Sequence, residues 1–426
     1  MTKEKKIHLI SLGCDKNLTD SEKILAISSR SGYTYTDDPE TADVILVNTC
    51  AFILDAQEES VNTLLEMADR KKKGAELIVT GCLAERYKDE IRKEIPEVDR
   101  VIGNTELLSY LEREHITDRV LTTGGHFAYL KIAEGCDKWC SYCIIPSLRG
   151  RYRSVPMEDL LEEAGKLASD GVKELILVAQ ETTLYGKDLY GEKKLPELLR
   201  KLSAIEGIEW IRIMYMYPEE ITDELICTVA ELPKVCHYFD IPIQHSEDRI
   251  LKAMGRRTTG TEIAERIQKI REMIPDCIIR TTIISGFPGE TEDDHENLLD
   301  FIEEMDFDRL GCFCYSREEG TRAYEYSDQI PEEIKTLRRN EVMELQQELA
   351  FEKARSRIGS VMRTIVEGRL PDEEGNVYVG RTYMDAPDVD GYIYFDAGSR
   401  NYMTGDMLNV RVTGANEYDL TGEVAE

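Results

Sequence analysis

The sequence lacks any long apolar run. Its start, MTKEKKIHLI, does not contain the apolar segment of a signal peptide, and no uninterrupted apolar stretch is long enough to cross a bilayer. Positive charge is also scarce, because 53 Lys and Arg stand against 83 Asp and Glu, for a formal net charge of −30. Such a chain repels a phosphate backbone and attracts basic partners. We therefore expect a soluble cytoplasmic protein with no membrane partner.

The cysteine content is high for a protein of a reducing compartment. Eleven cysteines occur among 426 residues, and 42% of the chain is hydrophobic, which is typical of a globular protein. The length exceeds what one hydrophobic core usually holds, so two or three domains are expected. Because disulfides are rare in the cytoplasm, we expect the cysteines to be metal ligands or buried apolar residues.

Three cysteines lie within one short segment, EGCDKWCSYCIIPSLRG at residues 134–150. A structural zinc site would need a fourth Cys or His at finger-like spacing, and none follows. Three thiolates instead suit a 4Fe-4S cluster with one iron left open for a ligand. We call Cys136, Cys140 and Cys143 the first array and predict that they bind such a cluster.

The segment around the first array predicts a strand, a loop and a helix. AYLKIAEG precedes the array as a strand, and SVPMEDLLEEAGKLASDG follows it as a helix. Five further strand-like runs alternate with helical patterns, namely ELILVAQ, EWIRIMYMYP, YFDIPIQ, CIIRTTIISG and RLGCFCYS. This alternation predicts a parallel sheet of six strands in a partial β/α barrel, whose sites lie at the carboxyl ends of the strands.

A second set of three cysteines is spread over the first 120 residues. The apolar runs IHLISLGC, DVILVNTC and ELIVTGC end at Cys14, Cys50 and Cys82, with separations of 36 and 32 residues. Each interval contains a helical pattern and has the length of a βαβ unit. If the strands are parallel, the three thiols meet at one edge of an open α/β sheet. We call them the second array and predict a second 4Fe-4S cluster with an open iron.

One further motif and the remaining cysteines are not assigned a chemical role. GFPGE is not followed by Gly-Lys-Ser/Thr, so it is not a nucleotide P-loop. The remaining cysteines lie in apolar helix or strand patterns and are expected to be packing residues: Cys227, Cys236, Cys277, Cys312 and Cys314.

The C-terminal region predicts a small β-barrel. A charged amphipathic helix, PEEIKTLRRNEVMELQQELAFEKARSRIG, ends near Gly359 and is followed by short strand-like runs separated by turns. Residues 361–426 contain five Arg, no Lys and thirteen Asp plus Glu, a formal charge of −8. Nucleic-acid binders normally show the opposite sign. A basic protein is the better electrostatic match.

The Cys-x3-Cys-x-aromatic-Cys pattern, with Tyr142 at the aromatic position, resembles the radical S-adenosylmethionine superfamily. That resemblance implies that the open iron binds S-adenosylmethionine, which is cleaved to a 5'-deoxyadenosyl radical. It also implies cofactor contacts at the ends of the barrel strands. The residues expected to bind the cofactor are Tyr142, Gln180, Glu181, Gln244, Ser246 and Arg280. For Gln180 and Glu181, a helix-capping role is the alternative.

Two three-cysteine arrays followed by a small C-terminal domain are similar to the methylthiotransferases. SLGCDKNLTDSE, DIPIQHSEDRILKAMGRRT and APDVDG most resemble the branch that acts on an aspartate of the small-subunit ribosomal protein uS12. The resemblance implies a methylthiotransferase α/β domain at 1–120, a radical S-adenosylmethionine core at 121–358 and a TRAM β-barrel at 359–426.

The reaction that this resemblance implies has three steps. Radical chemistry at the first array removes hydrogen from the aspartate β-carbon, sulfur from the second array joins that carbon, and a methyl group from S-adenosylmethionine completes the product. An electron donor is required as a further partner. No catalytic side chain beyond the cluster ligands is expected, because hydrogen abstraction needs no acid or base.

Two alternatives stay open at this point. A tRNA adenosine methylthiotransferase would use the same clusters but should carry a basic TRAM face, which this composition does not favour. An iron-sulfur scaffold without radical chemistry would explain two clusters, but neither the six-stranded barrel nor the open coordination sites.

Overall fold

The protein, as a computed structural model, is described over residues 5–371 and 375–425. These residues form a five-stranded sheet, a six-stranded sheet, a closed five-stranded barrel and a short two-stranded sheet. The first part comprises β1 (Lys5–Ser11), α1 (Asp15–Arg30), β2 (Tyr33–Tyr35), β3 (Val44–Thr49), α2 (Leu54–Arg70), β4 (Glu76–Gly81), α3 (Cys82–Arg86), α4 (Lys88–Glu94), β5 (Arg100–Val101) and α5 (Asn104–Arg113). Its strands lie in the order β2-β1-β3-β4-β5, and every pair is parallel. β3 and β4 read as near-continuous apolar runs because both faces of their sheet are covered.

The central part is built around a six-stranded parallel sheet. Its elements are β6 (Phe127–Lys131), β7 (Ala133–Glu134), α6 (Ile145–Arg149), β8 (Arg153–Ser154), α7 (Met157–Ser169), β9 (Glu174–Val178), α8 (Lys187–Tyr190), α9 (Leu195–Ser203), β10 (Trp210–Ile213), α10 (Asp223–Glu231), β11 (Val235–Asp240), α11 (Asp248–Met254), α12 (Gly260–Met273), β12 (Ile278–Ser285), α13 (Glu292–Met305) and β13 (Arg309–Cys314). The order β6-β9-β10-β11-β12-β13 follows the chain, and all neighbours are parallel. This confirms the predicted partial barrel.

The two faces of this sheet pack against different layers. On β9, Leu175 and Leu177 belong to the large core beneath the helices, whereas Ile176 and Val178 belong to a core shared with the C-terminal barrel. The alternation follows from the two-residue period of a strand. The inner face of the partial barrel is therefore covered by the C-terminal domain.

The C-terminal part begins with a long helix and ends in a closed barrel. It comprises α14 (Glu332–Ser356), β14 (Val361–Arg369), β15 (Val377–Thr382), β16 (Ile393–Asp396), β17 (Met407–Asn416) and β18 (Asp419–Val424). The strand order is β14-β15-β16-β18-β17, and pairing of β14 with β17 closes the ring. The predicted small β-barrel is confirmed.

Buried ion pairs fix the C-terminal barrel to the central sheet. Glu174 on β9 accepts from Arg212 of β10 at 2.8 Å and lies 2.7 Å from Arg381 of β15. All three side chains are buried, and their charges are compensated by one another, by Glu367, which lies 2.6 Å from Arg381, and by nearby backbone carbonyls. The predicted domain limits at 120/121 and 358/359 stay a prediction. Within the described residues, no helix combines the length and apolar character that a membrane span requires.

Candidate active site

The first array lies on the loop that leaves β7 and enters α6. Gly135 opens this loop with φ at 77°, and a Cβ there would lie 2.2 Å from the carbonyl oxygen of Arg151. Only glycine fits both the backbone angle and the space. The loop is also anchored at Ser141, whose N–H donates to Met254 and whose carbonyl accepts from Ala323, both at 2.8 Å or less. The position of the thiols is therefore set by backbone contacts.

The three thiols of the first array lie close to one another and largely out of water. Burial raises the pKa of Cys136 to about 11, with a further contribution from Cys140. Burial likewise raises the pKa of Cys143, and the charge of Cys140 adds to the effect. Free thiols in this setting resist ionisation, whereas a bound metal stabilises thiolates. Three soft sulfur donors with no fourth ligand fit a cluster with one open iron.

A buried carboxylate stands beside the first array at the end of β9. Glu181 is fully buried, and burial raises its pKa to about 7 although Lys138, 3.5 Å away, opposes the shift. The Lys138 ammonium also contacts Glu219 at 3.2 Å and Glu220 at 2.7 Å. Lys193 also pairs with Glu220, at 2.8 Å, so two ammonium groups face three carboxylates. One negative charge is left over when Glu181 is ionised, which suits a cationic ligand.

Other predicted cofactor contacts present buried polar atoms without partners. The Nε2 of Gln180 donates to Glu134 at 3.0 Å, but the Oε1 of Gln180 has no hydrogen-bond partner among the described residues. The hydroxyl of Ser246 likewise has no partner among the described residues. Two guanidinium nitrogens of Arg256, for which the sequence predicted no role, also lack one. Gln244 has φ at 74°, a conformation that non-glycine residues rarely adopt. Unpaired buried polar atoms at strand ends indicate the place of a polar ligand.

Tyr142 and Arg280 occupy different surroundings. Tyr142 is close to Cys140 and Arg256, and burial is the main reason that its pKa is raised. Arg280 instead pairs with Asp240 at 2.8 Å and with Asp390 of the C-terminal barrel at 3.5 Å. Its role in cofactor binding stays a prediction that these contacts do not support.

The second array forms as the spacing predicted, at the carboxyl edge of the first sheet. Cys14 precedes α1, Cys50 follows β3, and Cys82 follows β4 directly. Burial raises the pKa of Cys50 to about 11, and the charges of both Cys14 and Cys82 raise it further, so the three thiols are neighbours.

Close packing behind the second array depends on Gly81. It has φ at 93°, and a Cβ there would lie 2.4 Å from the carbonyl oxygen of Thr49, the residue before Cys50. Asn17 joins the same loops, because its Nδ2 donates to Leu12 at 2.9 Å and to Thr49 at 3.0 Å. These contacts hold the cysteine-bearing loops against one another.

Among residues 5–371 and 375–425, no group of three or more His, Cys, Asp or Glu is placed to hold one metal ion. In an iron-sulfur cluster each thiolate binds a different iron, so the thiols of an array need not converge on one point.

A buried charge network connects residues beside the two arrays and was not predicted from the sequence. Arg149, at the end of α6, donates to both carboxylate oxygens of Glu134 at 3.0 Å and to the side-chain oxygen of Asn17. Its guanidinium also lies close enough to Cys82 to oppose the rise in the pKa of that thiol that burial causes. Lys131 completes the network, because it contacts Glu134 at 2.9 Å and bonds Asp20.

The network sets the charge of its central carboxylate. Burial alone would raise the pKa of Glu134, but Arg149 and Lys131 bring it below its ordinary value. Glu134 and Arg149 flank the first array in the sequence, which is the signal that could have singled them out. Nothing in their spacing indicates that Arg149 would reach Cys82.

A cavity of about 220 Å³ opens beside Cys14 where the three parts of the chain meet. The lining residues are Gly13, Cys14, Asp15, Tyr129, Ile176, Met214, Tyr215, Ala386, Pro387 and Val389. They come from the second-array loop, from the inner face of the central sheet and from the APDV segment of the C-terminal barrel. This is a suitable place for a substrate group to meet the second array.

Three family models match successive parts of the chain. The uncharacterized protein family UPF0004 matches residues 6–103, the radical SAM superfamily matches 130–302, and the TRAM domain matches 358–425. Among solved structures, the radical S-adenosylmethionine methyltransferase TsrM of Kitasatospora setae, with cobalamin and a 4Fe-4S cluster bound, has a TM-score of 0.57 at 14% identity. The similarity covers 75% of this chain and 77% of TsrM and concerns the fold alone.

Curated relatives match over nearly their whole length. The ribosomal protein uS12 methylthiotransferase RimO of Lachnoclostridium phytofermentans is 55% identical, covering 98% of this chain and 99% of the relative. The protein of the same name in Acetivibrio thermocellus is 50% identical, with coverages of 99% and 98%. The one in Clostridioides difficile is 47% identical, with 98% of each chain covered. With one cysteine array on the first sheet and the other on the partial barrel, the chain belongs to the uS12 methylthiotransferases, a family of radical S-adenosylmethionine enzymes.

Proposed function

We propose that this protein methylthiolates the β-carbon of an aspartate in ribosomal protein uS12. The observation that supports the proposal is the presence of two three-thiol arrays, with Arg149 hydrogen-bonded to Glu134 beside the first array and close to Cys82 of the second. When bound, two 4Fe-4S clusters and S-adenosylmethionine supply the one-electron chemistry, the sulfur and the methyl group of the product. The protein's own residues bind these groups, orient them and keep water away.

The two arrays hold different clusters. In this proposal Cys136, Cys140 and Cys143 bind the cluster that serves S-adenosylmethionine, whereas Cys14, Cys50 and Cys82 bind the cluster that serves sulfur transfer. The first array lies among the polar strand ends, and Cys14 of the second array lines the cavity. Arg149 orients both loops, because it is hydrogen-bonded to Glu134 before the first array and to Asn17, which holds the loops of the second.

The residues that contact S-adenosylmethionine follow from burial and charge. Glu181 accepts from the methionyl amine, and its acidic neighbours favour the positive sulfonium. Gln180, Gln244 and Ser246 offer polar atoms at the strand ends, and Tyr142 packs beside the first array. The orphaned oxygens of Gln180 and Ser246 support this assignment. No contact supports the same role for Arg280.

The partner is a basic protein and not a tRNA. Residues 361–426 carry five Arg, no Lys and thirteen acidic residues, so the C-terminal barrel favours a positively charged surface. Nucleic-acid affinity depends mostly on Lys and Arg contacts to phosphates, which this composition does not favour. An external electron donor completes the set of partners.

The test offers the anaerobically reconstituted protein both small ribosomal subunits and total tRNA, with S-adenosylmethionine, sulfide and a reductant. Intact-protein and peptide mass spectrometry should find a methylthio-sized gain on uS12 that maps to one aspartate. A Cys136→Ala variant serves as the matched control and should produce none. A gain on a tRNA adenosine, or no gain on uS12, would contradict the proposal.

A further inference from the structure

A buried lysine lies behind the cavity at Cys14. The side chain of Lys16 is 7% exposed, and its ammonium is 3.1 Å from the centroid of the Tyr215 ring. The same ammonium is 3.0 Å from a carboxylate oxygen of Asp15, and the Tyr215 hydroxyl is 3.4 Å from that oxygen. The free protein therefore already holds a carboxylate between an ammonium and a phenol at the cavity wall.

The conformation of Tyr215 is costly and is held in place. Its φ is 58°, which is rare for an aromatic residue and costs energy. The Tyr215 N–H donates to Asp240 at 2.8 Å, and Asp240 is fixed in turn by Arg280 at 2.8 Å. Since Arg280 also pairs with Asp390, residues of the central sheet and of the C-terminal barrel together hold the ring that contacts Lys16.

The rest of the cavity offers a carboxylate little compensation. Its wall is apolar at Ile176, Met214, Ala386, Pro387 and Val389. A carboxylate that leaves water for such a surface needs a charged or hydrogen-bonding partner. Lys16 and the Tyr215 hydroxyl provide these partners at the place where Asp15 now lies.

We infer that Lys16, together with the Tyr215 hydroxyl, binds the β-carboxylate of the substrate aspartate, and that Asp15 takes this place in the free protein. The inference rests on the proposed function and makes Lys16 the residue that selects aspartate. Binding of the carboxylate holds the adjacent β-carbon beside Cys14 of the second array. The side chain of Asp15 turns away when the substrate carboxylate enters.

The test compares the affinities of full-length, anaerobically reconstituted protein variants for purified uS12. The ligand carries either the native aspartate or an asparagine at the position mapped by mass spectrometry. Wild type should bind the aspartate form about 10- to 100-fold more tightly, the range expected for a hydrogen bond to a charged group. Lys16→Met should bind both forms equally weakly, and Lys16→Arg should recover part of the preference.

Two further variants separate charge recognition from a structural effect. Asp15→Asn should bind the aspartate form at least as tightly as wild type, because it removes the competing carboxylate. Lys23→Met removes the same charge from α1 at a residue that pairs with Glu163, and it should leave the preference unchanged. Iron content and circular dichroism of each variant report whether the protein is intact.

The outcomes distinguish this inference from the proposed function. A preference for aspartate that persists in Lys16→Met, or a weaker binding of the aspartate form to Asp15→Asn, would overturn the inference alone. An equal loss for both ligand forms, with no recovery in Lys16→Arg, would assign Lys16 a structural role. If wild type adds no methylthio group to uS12, the proposed function itself fails.

Discussion

The two arrays contain the same three thiols but are assembled in different ways. Cys136, Cys140 and Cys143 share one loop, so their separation is limited by seven residues of chain. Cys14, Cys50 and Cys82 come from three loops and meet only because β1, β3 and β4 are parallel neighbours. A local array needs only a correct loop, whereas a dispersed array needs a correctly formed sheet.

The electrostatic surroundings of the arrays differ as well. Beside the first array, burial raises the pKa of Glu181 to about 7. In the network that reaches the second array, Arg149 and Lys131 hold the pKa of Glu134 below its usual value despite burial. One carboxylate can gain a proton near neutral pH, and the other stays ionised. Both carboxylates lie beside the first array. The side of Glu181 is suited to a cationic ligand, whereas the side of Glu134, toward the second array, is already neutralised by Arg149 and Lys131.

Substitution of the array cysteines should have the largest effect. Ala at any cysteine of the first array should abolish 5'-deoxyadenosine formation, because the open iron that binds S-adenosylmethionine is lost with its cluster. Ala at any cysteine of the second array should allow that cleavage but stop methylthio transfer. Chromatography of the nucleoside and mass spectrometry of uS12 measure the two activities. Equal loss of both activities in the two sets of variants would contradict the assignment of the two arrays to different steps of the reaction.

Two glycine substitutions should affect one array each. Gly135→Ala places a Cβ against the carbonyl of Arg151, and Gly81→Ala places one against Thr49. Both also strain a positive φ, so each should cost about 1–3 kcal/mol of unfolding free energy and release about half of the iron. Gly171→Ala is the matched control, because φ is 102° there but nothing lies within 4 Å.

The iron and sulfide content of each glycine variant, together with its unfolding free energy, checks this result. Gly135→Ala should lose S-adenosylmethionine cleavage, and Gly81→Ala should lose methylthio transfer. The control should show a smaller loss of stability and full iron content. Release of all iron from either variant would indicate that the arrays are not independent.

The pH dependence of cofactor binding should distinguish the two carboxylates. Glu181 has a raised pKa of about 7, so its ionised form, which attracts the methionyl amine, becomes populated as pH rises. Affinity for S-adenosylmethionine should increase about tenfold from pH 6 to pH 8. Glu181→Gln should bind more weakly and lose this dependence. Anaerobic calorimetry measures the affinity of both proteins as a function of pH. If the affinity of Glu181→Gln depends on pH as that of wild type does, Glu181 is excluded as the cause of the dependence.

The smallest effect is expected at a cysteine outside both arrays. Cys227 lies on α10 and is only partly buried, so Cys227→Ser should change the unfolding free energy by about 0.5 kcal/mol or less. Iron content and both activities should equal those of wild type. A loss of iron would mean that the assignment of cluster ligands is incomplete.

Much of the architecture follows from local patterns in the chain. The apolar runs that end at Cys14, Cys50 and Cys82 predict parallel strands, and these strands place the three thiols at one sheet edge. The six-stranded order and the small barrel are confirmed for the same reason. Strand and helix periods are properties of short segments, so they can be read without knowledge of distant contacts.

The side-chain contacts of the site are harder to predict from the sequence. Arg280 was expected at the cofactor and lies instead in ion pairs at the junction with the C-terminal barrel. No role was predicted for Arg149, yet its guanidinium contacts groups at both arrays. The strained backbone of Tyr215 has no local signal in its sequence. In each case the partner is far along the chain.

The amino-acid sequence by itself determined the order of strands and helices, the two sets of three thiols and the acidic character of the chain. The tertiary structure alone decided which charges meet: Arg149 with Cys82, Lys16 with the ring of Tyr215, and Glu181 with Lys138. The physical reason is the range of the interactions. Periodicity and spacing act within one segment, whereas a buried charge is stable only where folding brings it a partner from elsewhere in the chain.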